Sequence, residues 1–475
     1  MNRRRALVAA GAVLALAVAG CASTTGGRAV SIYANPFTVA GLPATDGPSG
    51  PRPGVPDATL PVRGSAGSAA DVLATNAIDD IAAFWRTEYP RVFAGDFQPV
   101  TDLLSWDPDT AAPQSGTFCG DNTHGVVNAG YCTRDGSIGW DRSTLLPTLM
   151  STFGPMAVVM VMAHEYGHAV QHDSGLAGDD DPTLVLEQQA DCFAGSFMRH
   201  VAKDGAAHFT LNTSDGLNSV MAAMVAVRDT NPNDPEAVHG TAFERVTAFQ
   251  IGFTDGARAC TGIDAAEVDA RRAEVPHQLS VAGPGDEMPV TEESIGLIVD
   301  SLQAVFALPR RPEVDFSGAD TGCPDAGATE PVSYCPANRT IGVSLPELVA
   351  RSTPRAGDPD DIVADVRGDF GAYVLVASRF TLAVQQLAGD SLTDATTAVR
   401  AACLSGVWTA AAAAGKAGGL TLSAGDLDEA VSGLLTDGLM ASDVNGNTAP
   451  SGFARVDAFR SGVLGGQDAC ANRYG

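Results

Sequence analysis

The sequence predicts a mainly α-helical protein (α+β, with few short strands) written as two related halves behind a leader and a tether. Three observations carry this reading. Apolar residues recur with helical spacing over Val72 to Trp85, Leu145 to Val170 and Leu186 to Val201. A degenerate repeat runs at an offset of about 210 residues, and the cysteines recur with it. Strand signals are short and weak by comparison.

The chain opens with Arg3, Arg4 and Arg5, followed by an apolar run from Ala6 to Ala19. That run is too short to persist as a membrane span, for which about 20 residues are needed. It ends in Val18-Ala19-Gly20-Cys21, and small residues directly before a cysteine resemble the lipobox of bacterial lipoproteins. Residues 1–20 are therefore read as a lipoprotein signal peptide and Cys21 as the acylated residue. An ordinary signal peptide beside a chance cysteine is the plainer alternative. The expected location is the outer face of the cell membrane, with the lipid anchor as the sole membrane contact. Residues 21–70 read as a flexible tether, because Ala44 to Gly54 is rich in proline and glycine and has no apolar period.

The formal charge of −27 argues against nucleic acid as a partner and against attraction to anionic lipid headgroups. It does not bear on the chemistry. No later stretch is long and apolar enough for a transmembrane helix.

The repeat is clearest where Phe243, Arg245, Val246, Ala248, Phe249 and Gly252 recur as Phe453, Arg455, Val456, Ala458, Phe459 and Gly462. Ile138-Gly139 recurs as Ile341-Gly342, and Ala169-Val170-Gln171 as Ala383-Val384-Gln385. Cys119 and Cys132 correspond to Cys323 and Cys335; Cys192 and Cys260 correspond to Cys403 and Cys470. With Cys21 assigned to lipid, the remaining cysteines form an even set in an exported chain, and four disulfides, two per half, are the simplest pairing. Metal ligation by Cys192 is the rival. Its counterpart Cys403 persists in a half that lacks every other candidate ligand, which favours the disulfide. An irregular joint from Ser280 to Pro289 divides the chain into halves 71–279 and 290–475.

The chemistry concentrates in the first half. Met156 to Gln171 reads as a buried helix carrying His164-Glu165-Tyr166-Gly167-His168. Two histidines at i and i+4 share one helix face, where both imidazoles reach a single Zn²⁺. Glu165, one residue round, can serve as general base without being a ligand. A second helix starting near Thr183 carries Glu187 and Asp191, again one turn apart. Glu187 completes a His₂Glu ligand set with an open fourth position, and Asp191 is placed to accept the distal N–H of a ligand histidine. A solvated acidic face is the bland reading of such a pair, but Leu186, Ala190, Cys192 and Phe193 are not the residues of a surface stripe.

These motifs resemble known ones. HExxH followed about twenty residues later by ExxxD is similar to the gluzincin arrangement of thermolysin-type enzymes. More closely, the chain resembles the neutral zinc metallopeptidase family of bacteria. The matching stretches are Cys119-Gly120, Gly130-Tyr131-Cys132 with Asp135, His164 to His168, Gln189 to Gly195, and His239-Gly240-Thr241 through Arg245, Phe249, Gly252-Phe253 and Cys260. The duplication and tether resemble lipoprotein peptidases of mycobacteria. The resemblance implies a zincin-like core, one Zn²⁺ per chain and a peptide or protein substrate. Ala169 departs from the pattern, since the family often has a histidine there.

For the oxyanion of peptide hydrolysis a second positive or hydrogen-bonding group is needed. His239 is the best candidate, being the remaining histidine in a family-matching segment. Arg245 is read as structural because Arg455 survives in the second half, and Tyr166 as packing. His124, His172, His200, His208 and His277 are read as exposed or incidental, and Asp179 to Asp181 as a solvated loop.

In the second half Ser378, Arg379 and Leu382 stand at the positions of His164, Glu165 and His168. Ala398, Ala402 and Ala449 stand at those of Glu187, Asp191 and His239. It therefore reads as a degenerate, non-catalytic copy. A non-catalytic envelope lipoprotein that uses this scaffold for structure or partner binding is the rival to a zinc-dependent peptidase.

Overall fold

Start signals in the sequence set several helix beginnings. Ser68 and Thr241 accept hydrogen bonds from the backbone three residues on, and Asp71 and Glu244 reciprocate, closing capping boxes. The computed structural model describes residues 35, 37–178, 181–228, 239–273, 275, 288–354, 366–418, 420 and 422–474.

Three two-residue strands lead, β1 (Thr38–Val39), β2 (Leu42–Pro43) and β3 (Gly50–Pro51), before helix α1 (Ala69–Val92). Strands β4 (Leu103–Trp106), β5 (Thr117–Phe118), β6 (Asp121–Asn122), β7 (Ala129–Tyr131) and β8 (Ile138–Asp141) follow. Then come α2 (Leu145–Phe153), α3 (Pro155–Ser174), α4 (Thr183–Ala202), β9 (Phe209–Thr210), α5 (Asp215–Ala226), α6 (Ala242–Asp255), α7 (Ala257–Cys260) and α8 (Ala265–Ala273). The rest of the chain holds α9 (Glu292–Phe306), β10 (Glu313–Asp315), β11 (Val332–Cys335), β12 (Thr340–Val343) and α10 (Leu345–Ser352). It closes with α11 (Asp369–Ala388), α12 (Ala395–Ala413), α13 (Ala424–Thr436) and α14 (Gly452–Tyr474). The fold is mainly helical with small sheets, as the periodicity predicts. No described helix is long and apolar enough to cross a membrane.

Two expectations need correction. The single helix expected over Leu145 to Val170 is broken into α2 and α3. Gly154 sits at φ 82°, where L-residues are strained, and Pro155 cannot donate to the preceding turn, so it opens a new helix instead. The described part of the expected tether is also not free. β3 pairs antiparallel with β9, the Thr45 N–H donates to Thr213 Oγ1 at 2.9 Å, and Arg52 pairs with Asp204 at 2.9 Å. Arg63 exchanges backbone hydrogen bonds with Leu103 and Ser105. A segment with no period of its own can still borrow partners from a formed body, and isolated Val39 is fully buried in this way. Residues 1–20, Cys21 and most of the Ser280 to Pro289 joint lie outside the described residues.

Each half contains the same local constructions. In the first, β8 lies parallel to β4 and antiparallel to β7. In the second, β12 lies parallel to β10 and antiparallel to β11. Ile138-Gly139 and Ile341-Gly342 occupy the two central strands. The cysteines pair as Cys119–Cys132, Cys192–Cys260, Cys323–Cys335 and Cys403–Cys470.

Glycine sets the closeness of α4 to α6. A Cβ on Gly252 would lie 1.7 Å from the Cys192 carbonyl oxygen, and one on Gly195 would lie 2.1 Å from that of Phe249. The same two approaches recur at Gly462 against Cys403 (1.8 Å) and Gly406 against Phe459 (2.1 Å). Here backbone presses on backbone, so no side-chain rotation relieves an added methyl. Gly252→Ala is therefore expected to destabilise the protein by about 1–3 kcal/mol or more in chemical denaturation. Gly296→Ala, in α9 with open space around its Cβ position, is expected to be neutral or to stabilise by up to ~1 kcal/mol. Equal responses would contradict the close-packing account.

Candidate metal centre

α3 is buried on most faces, and its one polar face meets α4. Gly167 allows this meeting, because a Cβ there would lie 2.9 Å from the Ala190 Cα. The bare backbone lets one turn of α3, holding His164 and His168, face one turn of α4, holding Glu187 and Asp191.

The facing atoms form a triangle. His164 Nε2 lies 3.3 Å from His168 Nε2 and 3.1 Å from Glu187 Oε2, and His168 Nε2 lies 3.5 Å from Glu187 Oε1. A tetrahedral zinc ion with ligands at about 2.0–2.1 Å separates its ligand atoms by about 3.3–3.4 Å, so the triangle has the right size. The tautomers also fit. His164 Nδ1 lies 2.8 Å from Asp191 Oδ1, an acceptor. His168 Nδ1 lies 2.8 Å from Gln171 Oε1. The amide nitrogen of Gln171 donates to the Leu186 carbonyl and to Gln189 Oε1, so its oxygen faces the ring. Both Nδ1 atoms then carry the proton, and both Nε2 lone pairs converge with a carboxylate. Such a spot calls for positive charge, either a metal ion held by both rings and the carboxylate or, without one, a proton on the His164 ring.

Two other clusters among the described residues have ligand-type side chains, and neither competes. Cys323 and Cys335 flank Asp325 but are joined in a disulfide and offer no thiolate. Asp80, near Asp79 and His208, already accepts from the Ala207 and His208 backbones and from His208 Nδ1. His208 is thus buried and ties β9 to α1, which corrects its reading as exposed or incidental.

Asp191 is fully buried. Arg245 on α6 clamps it with two hydrogen bonds of 2.9 Å, and also donates to the Val227 carbonyl at 3.0 Å. Burial alone would raise the Asp191 carboxyl, but the Arg245 and His164 charges outweigh it and hold the group below the ordinary aspartate value. For His164 burial works the other way and would depress the ring; Asp191 and Glu187 override it and push the imidazole up to about 10. Glu187 is likewise held low by His164 and His168 against the effect of its burial. Glu165, by contrast, is raised by burial, partly offset by the two histidines. It stands outside the ligand triangle, and its Oε2 accepts from the Tyr131 backbone N–H at 2.9 Å.

His239 reaches the same place from the start of α6. Its Nε2 lies 3.9 Å from Glu187 Oε2, and the side chain is 42% exposed. With His164, Glu165, Met160, Asn128 and Arg245 it lines a cavity of about 130 Å³. Tyr166 points elsewhere, its hydroxyl accepting from the Val100 N–H at 3.1 Å, and is packing as expected. His277, Asp179 and Asp180 lie outside the described residues. Gln171 and the Tyr131 N–H were not singled out from sequence. The only trace of Gln171 was its recurrence as Gln385, and a backbone donor leaves none.

Replacing Asp191 by Asn keeps the shape but removes the charge that faces Arg245 and orients His164. Zinc affinity of Asp191→Asn, measured by competition with a chromophoric chelator, is expected to fall about 10–100-fold. Unchanged affinity would show that Asp191 has no hold on the centre.

Comparison with known proteins follows this geometry. Residues 110–262 match the family model described as "Putative neutral zinc metallopeptidase". Uncharacterized proteins of Mycobacterium bovis and Mycobacterium tuberculosis are 29% identical over 167 residues, covering 30% of this chain and 57% of theirs. The chain thus spans a little over half the length of these curated relatives. No solved structure matches it. The stretch that resembles this family contains the whole ligand triangle, Glu165, Asp191, His239 and Arg245.

Proposed function

We propose that this chain is a zinc-dependent peptidase of the cell envelope, with one zinc ion held by His164, His168 and Glu187. The observation that carries the proposal is Glu165, an intact and aimed carboxylate beside a donor set that leaves a fourth position open. A site that used zinc only for structure would close all four positions.

Zinc bound there supplies Lewis acidity, which lowers the pKa of a water molecule and polarises a carbonyl. The residues do the rest. Glu165 takes the proton from the attacking water and delivers it to the leaving amine, so water adds across the peptide bond and both halves leave neutral in sum. The Tyr131 N–H fixes one oxygen of that carboxylate, and burial gives it more affinity for a proton than an exposed glutamate has. His239 lines the same cavity and donates to the oxygen on which negative charge develops. Asp191 and Arg245 hold His164 in its tautomer and orientation.

The remaining parts of the reading rest on sequence. A basic and apolar leader ending at Cys21 supports export and lipid anchoring, and four cysteine pairs suit an oxidising compartment. Recurrence of strand pairing, cysteine pairs and glycine contacts supports a tandem duplication with halves near 71–279 and 290–475. In the second, Arg379 replaces the base and is buried against the Leu439 and Asp443 carbonyls and Ser442. That half is the non-catalytic copy.

Glu165→Gln is expected to keep its zinc and lose about 10²–10⁴ in turnover of a peptide substrate found by library screening. His239→Ala is expected to lose about 10²–10³ with zinc retained. Full activity in Glu165→Gln would sink the mechanism. A zinc-loaded wild type inert towards every peptide would favour a non-catalytic lipoprotein.

A further inference from the structure

The two halves exchange helix caps. Asn218 on α5 accepts from the N–H of Gly452, which opens α14, at 2.8 Å. Reciprocally, Asp428 on α13 accepts from the N–H of Phe243 in the first turn of α6, at 3.1 Å. The exchange is unequal in charge. The cap given to the second half is a neutral amide, whereas the cap given to the first is a carboxylate. That carboxylate also pairs with Arg228 at 2.8 Å, its side chain only 4% exposed. Burial, tempered by Arg228, raises the Asp428 carboxyl to about 6, so it is ionised at neutral pH.

The charged cap lies on a connected set of contacts that ends at the metal centre. Arg228 also donates to the Val225 carbonyl at 3.0 Å, fixing the end of α5. The next carbonyl but one, that of Val227, accepts from Arg245 at 3.0 Å. Arg245 clamps Asp191, and Asp191 holds His164 Nδ1. Asp428 thus bears on Arg245 from two directions, through the start of the helix that carries it and through the carbonyl that anchors its far nitrogen. At the place matching Arg228 in the second half stands Gly438, where a Cβ would strike the Arg455 guanidinium at 2.6 Å; among the described residues Arg455 donates to the Leu434, Ala449 and Leu435 carbonyls.

We propose that Asp428, contributed by the half that lacks the ligands, is a positioning residue for the metal centre of the other half. It fixes Arg228 and the start of α6 so that Arg245 presents Asp191 to His164. The second half is then a clamp on the site and not a passenger. The proposal rests on His164 as a zinc ligand, and its test separates the two ideas.

The test uses the full chain and two readouts: zinc affinity by chelator competition, and the His164 Nδ1–H proton resonance of the metal-free protein. Asp428→Asn, which keeps the cap oxygen but loses the charge, is expected to weaken zinc binding about tenfold, the order of effect seen for outer-shell partners, and to shift or broaden the resonance. Arg228→Gln is expected to do the same and serves if the first variant does not fold. Asn218→Ala removes the reciprocal cap and is expected to lower thermal stability while leaving both readouts unchanged. Asp428→Asn and Arg228→Gln folding with both readouts unmoved overturns the proposal, as does Asn218→Ala moving them equally. A wild type that binds no zinc overturns the metal reading alone, because the resonance still reports on Asp428.

Discussion

The buried carboxylate of Asp191 is the constraint on which the site depends. It is shut off from solvent, so it needs positive partners in fixed places, and it finds them in Arg245 of α6 and His164 of α3. Three helices are registered by that one group. Removing one member of a buried, hydrogen-bonded charge set leaves the others unpaired, at a cost of about 3–5 kcal/mol. The arrangement stands only because the helices come unusually close, through Gly167 between α3 and α4 and through Gly195 and Gly252 between α4 and α6. The Cys192–Cys260 disulfide leaves α4 directly after Asp191 and closes the same corner. Glycine, charge and cross-link therefore act together on a few ångströms of structure.

The contrast between halves separates scaffold from chemistry. Close glycine contacts, strand pairing and cysteine pairs occur in both. The charge set around Asp191 does not: Ala402 stands where Asp191 would, and Arg455 donates to carbonyl oxygens at the end of α13. The same arginine in the same place thus holds the Asp191–His164 pair in one half and caps a helix in the other. This explains why recurrence alone could mark Arg245 as structural without revealing that it supports the Asp191–His164 contact.

Legibility followed the range of the interaction. His164, His168, Glu187 and Asp191 were readable because spacing of four on two helices is a local rule, and the helices themselves followed from apolar period and start signals. Gly154-Pro155 was readable in principle but was masked by apolar residues on both sides. What depended on distant partners was not. Residues 43–52 looked incapable of structure because their partners, such as Thr213 and Asp204, lie 152 to 168 residues away. His208 looked incidental because Asp80 lies in α1. The backbone donor from Tyr131 to Glu165 has no side-chain signature at all.

X-ray absorption at the zinc edge of the purified full-length chain tests the central claim most directly. The account predicts one zinc per chain, with two imidazole nitrogens and oxygen neighbours at about 2.0–2.1 Å in a four-coordinate shell. Sulfur neighbours at about 2.3 Å, a shell of six oxygens, or no zinc after reconstitution would contradict it.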